Sequence, residues 1–224
     1  MRARALSLLV FPSLVLLSAA AGRAAEEPSK PPDAATRAGD EACATCHTDQ
    51  AAGFEKTVHH HLGSYGKAAA GETCESCHGP GGKHAETQSA ADIINPAKLA
   101  GAEASAPCLA CHSTDRHRAF WEGSPHEAAD VSCLSCHDVH SGNGQHLLAK
   151  ADAREVCLAC HGNVRSSLMQ RSRHPLKEGK MDCASCHQPH CTSTDKLIDA
   201  ASINDKFYQC HADKRGPFLW EHFP

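Results

Sequence analysis

Six times in 224 residues, two cysteines three positions apart are followed at once by a histidine. The runs are Cys43-Ala-Thr-Cys46-His47, Cys74-Glu-Ser-Cys77-His78, Cys108-Leu-Ala-Cys111-His112, Cys133-Leu-Ser-Cys136-His137, Cys157-Leu-Ala-Cys160-His161 and Cys183-Ala-Ser-Cys186-His187. With 14 Cys and 18 His in the chain, chance would supply roughly 0.07 of them. Zinc sites also use Cys-x-x-Cys, but they do not place His directly after every pair. A disulfide scaffold explains the cysteines and not the histidines, and a thioredoxin-like motif occurs once. One chemistry needs this spacing: two thiols bond the two vinyl groups of a haem, and the adjacent imidazole becomes its proximal iron ligand. The sequence therefore implies six covalent haem c groups.

That inference solves a problem of composition. The chain has only 2 Trp, 2 Tyr and 6 Phe, and much of its 41% apolar content is Ala and Cys. A side-chain core for a domain of this length would be thin. Haems spaced every 24 to 34 residues would fill the interior, leaving room for short helices and turns punctuated by Gly and Pro. The expected fold is a multihaem cytochrome c, mostly coil with short α-helices, elongated, with a haem-packed core and little or no β-sheet. The net charge of −4 gives no case for a nucleic-acid partner.

Residues 1–25 read as a secretory signal peptide: Arg2 and Arg4, an apolar run from Leu6 to Leu17, then small residues with cleavage between Ala21 and Ala25. The apolar run is short for an uncleaved membrane anchor. Residues 26–40 form a Pro- and charge-rich flexible leader, and 41–224 the multihaem domain.

A seventh frame is altered. Phe207-Tyr-Gln-Cys210-His211 has Phe where the first cysteine belongs, yet starts at 108, 133, 157, 183 and 207 keep steps of 25, 24, 26 and 24. It reads as a haem site with one thioether or none, the plainer alternative being a surface Cys-His pair. Cys191, the other leftover thiol, either pairs with Cys210 or stays free.

The later motifs form a two-haem repeat. Cys108, His126, Cys133 and His140 recur as Cys157, His174, Cys183 and His190, offset by 48 to 50 residues. The di-haem modules span about 43–84, 108–140 and 157–190, with a partial one over 207–224 that supplies His222. The N-terminal module offers the His59-His60-His61 run and His84. Seven histidines are thus candidate distal ligands: His60 (taken from its run), His84, His126, His140, His174, His190 and His222. They face seven proximal ones, His47, His78, His112, His137, His161, His187 and His211. His117 and His146 fall outside the repeat and read as surface residues. Because His140 and His190 follow a proximal histidine by three residues, neither can straddle the same haem plane, so each should serve a neighbouring haem. Irons closed on both faces suit electron transfer rather than catalysis.

At this point several stretches carry a resemblance. GETCESCHGPGGKH, Trp121-Glu-Gly-Ser-Pro-His126, RHPLKEGKMDCASCHQPH and Asp213-Lys-Arg-Gly-Pro-Phe-Leu-Trp-Glu-His222 are similar to the periplasmic decahaem cytochromes of the MtrA/DmsE type, over about residues 40 to 224. The resemblance implies a periplasmic electron conduit lodged in an outer-membrane β-barrel porin. Its donor would be a periplasmic or inner-membrane cytochrome, and its acceptor an extracellular cytochrome or reductase working on metal oxides or dimethyl sulfoxide; a related group draws electrons inward from ferrous iron. Phe207, Cys191 and the end at Pro224 depart from the family, so the chain reads as a C-terminally truncated member. The competing reading, a multihaem reductase of nitrogen or sulfur oxyanions, needs an iron with one open face. No Cys-x-x-Cys-Lys is present, and the histidine supply covers every iron.

Overall fold

The computed structural model describes residues 37–62, 73–114, 118, 120–141, 145–190 and 192–217. The signal peptide, most of the leader, His117, Cys191 and His222 lie outside them. Nine short α-helices are found among the described residues: α1 Asp40–Cys46, α2 Thr48–Phe54, α3 Cys74–His78, α4 Gly82–Thr87, α5 Gly101–His112, α6 Pro125–Ala128, α7 Ala153–Leu158, α8 Gly162–Ser167 and α9 Ile203–Cys210. None is long and apolar enough to cross a membrane.

Two local devices alternate along the chain. The first motif of each module sits at the C-terminal end of a helix, in α1, α5 and α7, and the altered frame ends α9 in the same way. The second motif begins a helical turn with a reciprocal capping box, in which the flanking side chain and the residue three on satisfy each other's backbone N–H groups. Thr73 and Ser76 do this for α3, while Ser132 with Ser135 and Asp182 with Ser185 do it for the 3-10 turns Cys133–Ser135 and Cys183–Ser185. The N–H of Thr73, Ser132 and Asp182 donates to the paired serine Oγ at 3.1, 3.2 and 3.1 Å. A Cys-x-Ser-Cys-His run preceded by Thr, Ser or Asp therefore starts its own turn.

After the second motif, modules two and three return along it. The Asp138 N–H donates to Leu147 O at 2.8 Å and Ala149 N–H to Cys136 O at 2.9 Å; Gln188 to Leu197 and Asp199 to Cys186 repeat this at 2.8 and 2.9 Å. These make single antiparallel bridges, His137 with Leu148 and His187 with Ile198, and the described residues contain no strand longer than that.

Side chains alone build little interior. Among the described residues the buried apolar side chains are Pro96, Ala104, Trp121 and Leu158, joined by the polar Thr57, Glu75, Ser105 and Ser124. Phe120, Met169, Ile203 and Phe207 lie exposed. That is far short of what the conformational entropy of ordering such a chain demands, so covalent haem must supply the remaining apolar surface.

Glu75, the first intervening residue of the second motif, organises the N-terminal module from inside. Its carboxylate accepts the N–H groups of Ala38 (2.9 Å), Gly39 (3.1 Å) and Gly81 (2.7 Å). The leader is thus tied down before its expected end at residue 40. Burial works against the charged form, but the three donors outweigh it and hold the carboxyl below its ordinary 4.5. Its stabilising contribution is therefore complete above that value and is lost as pH falls through the depressed one. A Glu75→Ala protein is expected to lose roughly 2 kcal/mol and part of the acid sensitivity of unfolding. Denaturant titrations at pH 7 and pH 3 that gave equal losses would contradict this.

Candidate haem sites

Each motif presents its groups through the same closed turn. The N–H of His47, His137, His161 and His187 donates to the carbonyl of the first cysteine of its motif at 3.0, 2.9, 3.0 and 2.9 Å.

The histidine rings then meet in pairs. Ring centroids lie 6.2 Å apart for His47 and His84, 6.0 Å for His59 and His112, 5.9 Å for His78 and His140, 6.2 Å for His126 and His161, 5.7 Å for His137 and His190, and 6.4 Å for His174 and His211. Two imidazoles bound to one iron from opposite faces, each by a bond of about 2 Å, have centroids about 6 Å apart. No group of three or more His, Cys or carboxylates among the described residues could hold a bare ion. A pair of opposed imidazoles without equatorial ligands, flanked by two thiols, fits a planar porphyrin iron, which would supply the equator itself.

The imidazole protons support the fit. Nδ1 of His78, His137 and His187 lies 2.8, 2.9 and 2.8 Å from the carbonyl oxygens of Ile94, His146 and Lys196, and Nδ1 of His84 lies 2.9 Å from that of Ser89. A carbonyl only accepts, so Nδ1 carries the proton and the Nε2 lone pair is left for a metal. His146, exposed as a side chain, thus matters through its backbone. His112 differs: its Nδ1 is 2.9 Å from Nη2 of Arg118, and a guanidinium only donates.

In the 59–61 run the ring that faces a motif histidine is that of His59, opposite His112, whereas the expected His60 is exposed and packs edge-on against Phe54 and His61. Just before the run, Thr57 is 1% exposed and its hydroxyl donates to Phe54 O at 2.7 Å.

The pairs follow a register. A histidine in the middle of one module faces the first-motif histidine of the next, as His59 with His112, His126 with His161 and His174 with His211. A histidine at the tail of a module faces the second-motif histidine of the module before, as His140 with His78 and His190 with His137. His47 and His84, the two left over in the first module, face each other. The back-reaching pairs and His47–His84 are near-parallel (14° to 24°), while the forward-reaching pairs are turned by 51° to 87°. Backbone contact reinforces one back-reaching pair. A Cβ on Gly53 would come within 1.7 Å of His140 O, so only glycine lets α2 cross the residue that faces His78.

The thiols form a second continuous series. Within each module the first cysteines are near enough to shift each other's titration, Cys43 with Cys74, Cys108 with Cys133 and Cys157 with Cys183. Burial, with the Asp40 carboxylate alongside, pushes Cys74 up to about 12; burial and the neighbouring Cys157 push Cys183 up to about 11. In the tight Cys108–Cys133 pair the shared hydrogen bond keeps the proton on Cys108 and lowers Cys133. Between modules, Cys77 is near enough for its charge to raise Cys108, and Cys160 does the same to Cys136.

Comparison with known proteins agrees with this architecture. A family model described as a doubled CXXCH motif matches twice, over residues 126–166 and 174–216, beginning each time on a middle histidine of the repeat. The chain is also 40% identical over 190 residues to the multihaem cytochrome MtrA of Shewanella baltica (strain OS185). That match covers 83% of this chain and 56% of the relative, so the chain spans little more than half the relative's length. With six complete attachment motifs, opposed imidazoles at the separation of an iron and this relative, the chain is an MtrA-like multihaem c-type cytochrome that binds haem covalently.

Proposed function

We propose that this protein is an electron conduit, carrying single electrons along a line of haems in the order of their motifs. The observation that carries the reading is the run of facing histidine rings, in which each module is joined to the next by an imidazole pair at the separation of an iron. Bound haem supplies reversible one-electron iron chemistry there. The residues do the rest. The cysteines would hold the groups covalently, and each facing imidazole pair would ligate one iron and leave no position there for a substrate. Carbonyl acceptors on Nδ1 fix the rotation of His78, His84, His137 and His187 and raise their basicity.

In this reading the conduit is periplasmic and sits with an outer-membrane β-barrel porin. It takes electrons from a periplasmic or inner-membrane cytochrome and passes them to an extracellular cytochrome or reductase acting on metal oxides or dimethyl sulfoxide, or runs the other way from ferrous iron. The likeness to MtrA and the Asp213–His222 run support it. Film voltammetry of the holoprotein is expected to show broad, reversible one-electron waves, unchanged by nitrite or sulfite. A catalytic current with either would overturn the conduit in favour of a reductase. Co-purification of a β-barrel protein from the native outer membrane tests the partner.

A further inference from the structure

The altered frame at 207–211 keeps the conformation of a haem motif while lacking half of its covalent chemistry. The His211 N–H donates to Phe207 O at 2.9 Å, with φ −114° and ψ 51°; in the intact first motif, His47 donates to Cys43 O at 3.0 Å with φ −108° and ψ 52°. The helix carrying it begins on a side-chain cap, Ser202 accepting the Asp205 N–H at 3.1 Å, much as Asp152 caps α7. Cys210 is exposed, as are the second cysteines Cys46, Cys111 and Cys160 of the helix-ending motifs. Across from it the His174 ring stands 6.4 Å from His211, in the forward-reaching position of the register. A surface Cys-His pair would have no reason to be faced by a histidine from the previous module at the separation of an iron. Phe207 fills the place of the missing thiol and stacks on the imidazole, with ring centroids 4.5 Å apart and planes at 21°.

We propose that Cys210, His211 and His174 hold a seventh haem through a single thioether, with Phe207 packed on the proximal imidazole in place of the second. The Cys210 S–H adds across one vinyl group. The sulfur bonds the carbon next to the ring, the thiol proton goes to the terminal carbon, and the double bond becomes single with no change in iron oxidation state. The other vinyl stays intact, because residue 207 has no thiol to offer. Phe207 limits rotation of an imidazole whose haem is anchored on one side only.

The test is the intact mass of the denatured holoprotein together with its pyridine haemochrome spectrum. Seven haem increments are expected, with one in seven absorbing between a two-thioether haem and one with both vinyls free. A Cys210→Ser protein should keep six increments and release one haem into acid acetone. A Phe207→Cys protein should keep seven and lose the intermediate absorption. Six increments in the unaltered protein, with or without an extractable haem, would overturn the single thioether. This inference rests on the conduit reading only for the six complete motifs, and a count below six would tell against that reading instead.

Discussion

Replacing His190 by alanine is expected to open one iron per chain, and that iron will not belong to the motif His190 follows. His190 lies three residues after His187, too near to reach round the same porphyrin, and its ring stands 5.7 Å from His137 at an interplanar angle of 24°. Trp121, 8% exposed, packs beside it with centroids 6.3 Å apart and holds the ring in that position. The ferrous His190→Ala protein should bind one more equivalent of carbon monoxide per chain than the unaltered protein does. The added uptake should vanish when Cys133 and Cys136 are also replaced by serine. Persistence after that replacement would mean that His190 serves its own motif or none, and the crossed register would fail. His140→Ala should behave in the same way at the haem of Cys74 and Cys77, since His140 faces His78 at 5.9 Å.

The chain made without haem attachment is expected to be unfolded. Four buried apolar side chains among the described residues cannot offset about 1–2 kcal/mol of backbone entropy per residue. The capping boxes and single bridges are each worth about 1 kcal/mol or less. In cells lacking the attachment machinery the product should give a coil-like far-ultraviolet spectrum, no cooperative melting and rapid proteolysis, as apo metallo-domains do. A cooperative transition in the usual range of about 45–65 °C would show that side chains suffice.

What the sequence made legible is what covalent and coordination chemistry impose. Two thioethers and a proximal ligand demand fixed spacing, so the six motifs and the coil-rich, short-helix fold followed directly. The three-residue offset of His140 and His190 excluded ligation at home and pointed to a neighbour, which is where their rings lie. The His59–His61 run was not resolvable from spacing, because three adjacent histidines differ in direction only through the local turn. The carbonyls of Ile94, His146 and Lys196 that fix the Nδ1 protons left no trace in residue type, since any residue supplies a carbonyl. Two signals were present and went unread. Ser76, Ser135 and Ser185, each three residues after Thr, Ser or Asp, announce capping boxes. Glu75 stands in a motif position that haem chemistry leaves free, which marks it for another task, here the anchoring of Ala38, Gly39 and Gly81.

The most direct test of paired imidazoles along the chain is a count of low-spin bis-histidine haems by near-infrared magnetic circular dichroism of the oxidised holoprotein. The pairs His47–His84, His78–His140, His112–His59, His137–His190 and His161–His126 predict at least five per chain. Fewer than five, with the balance high-spin, would contradict the account.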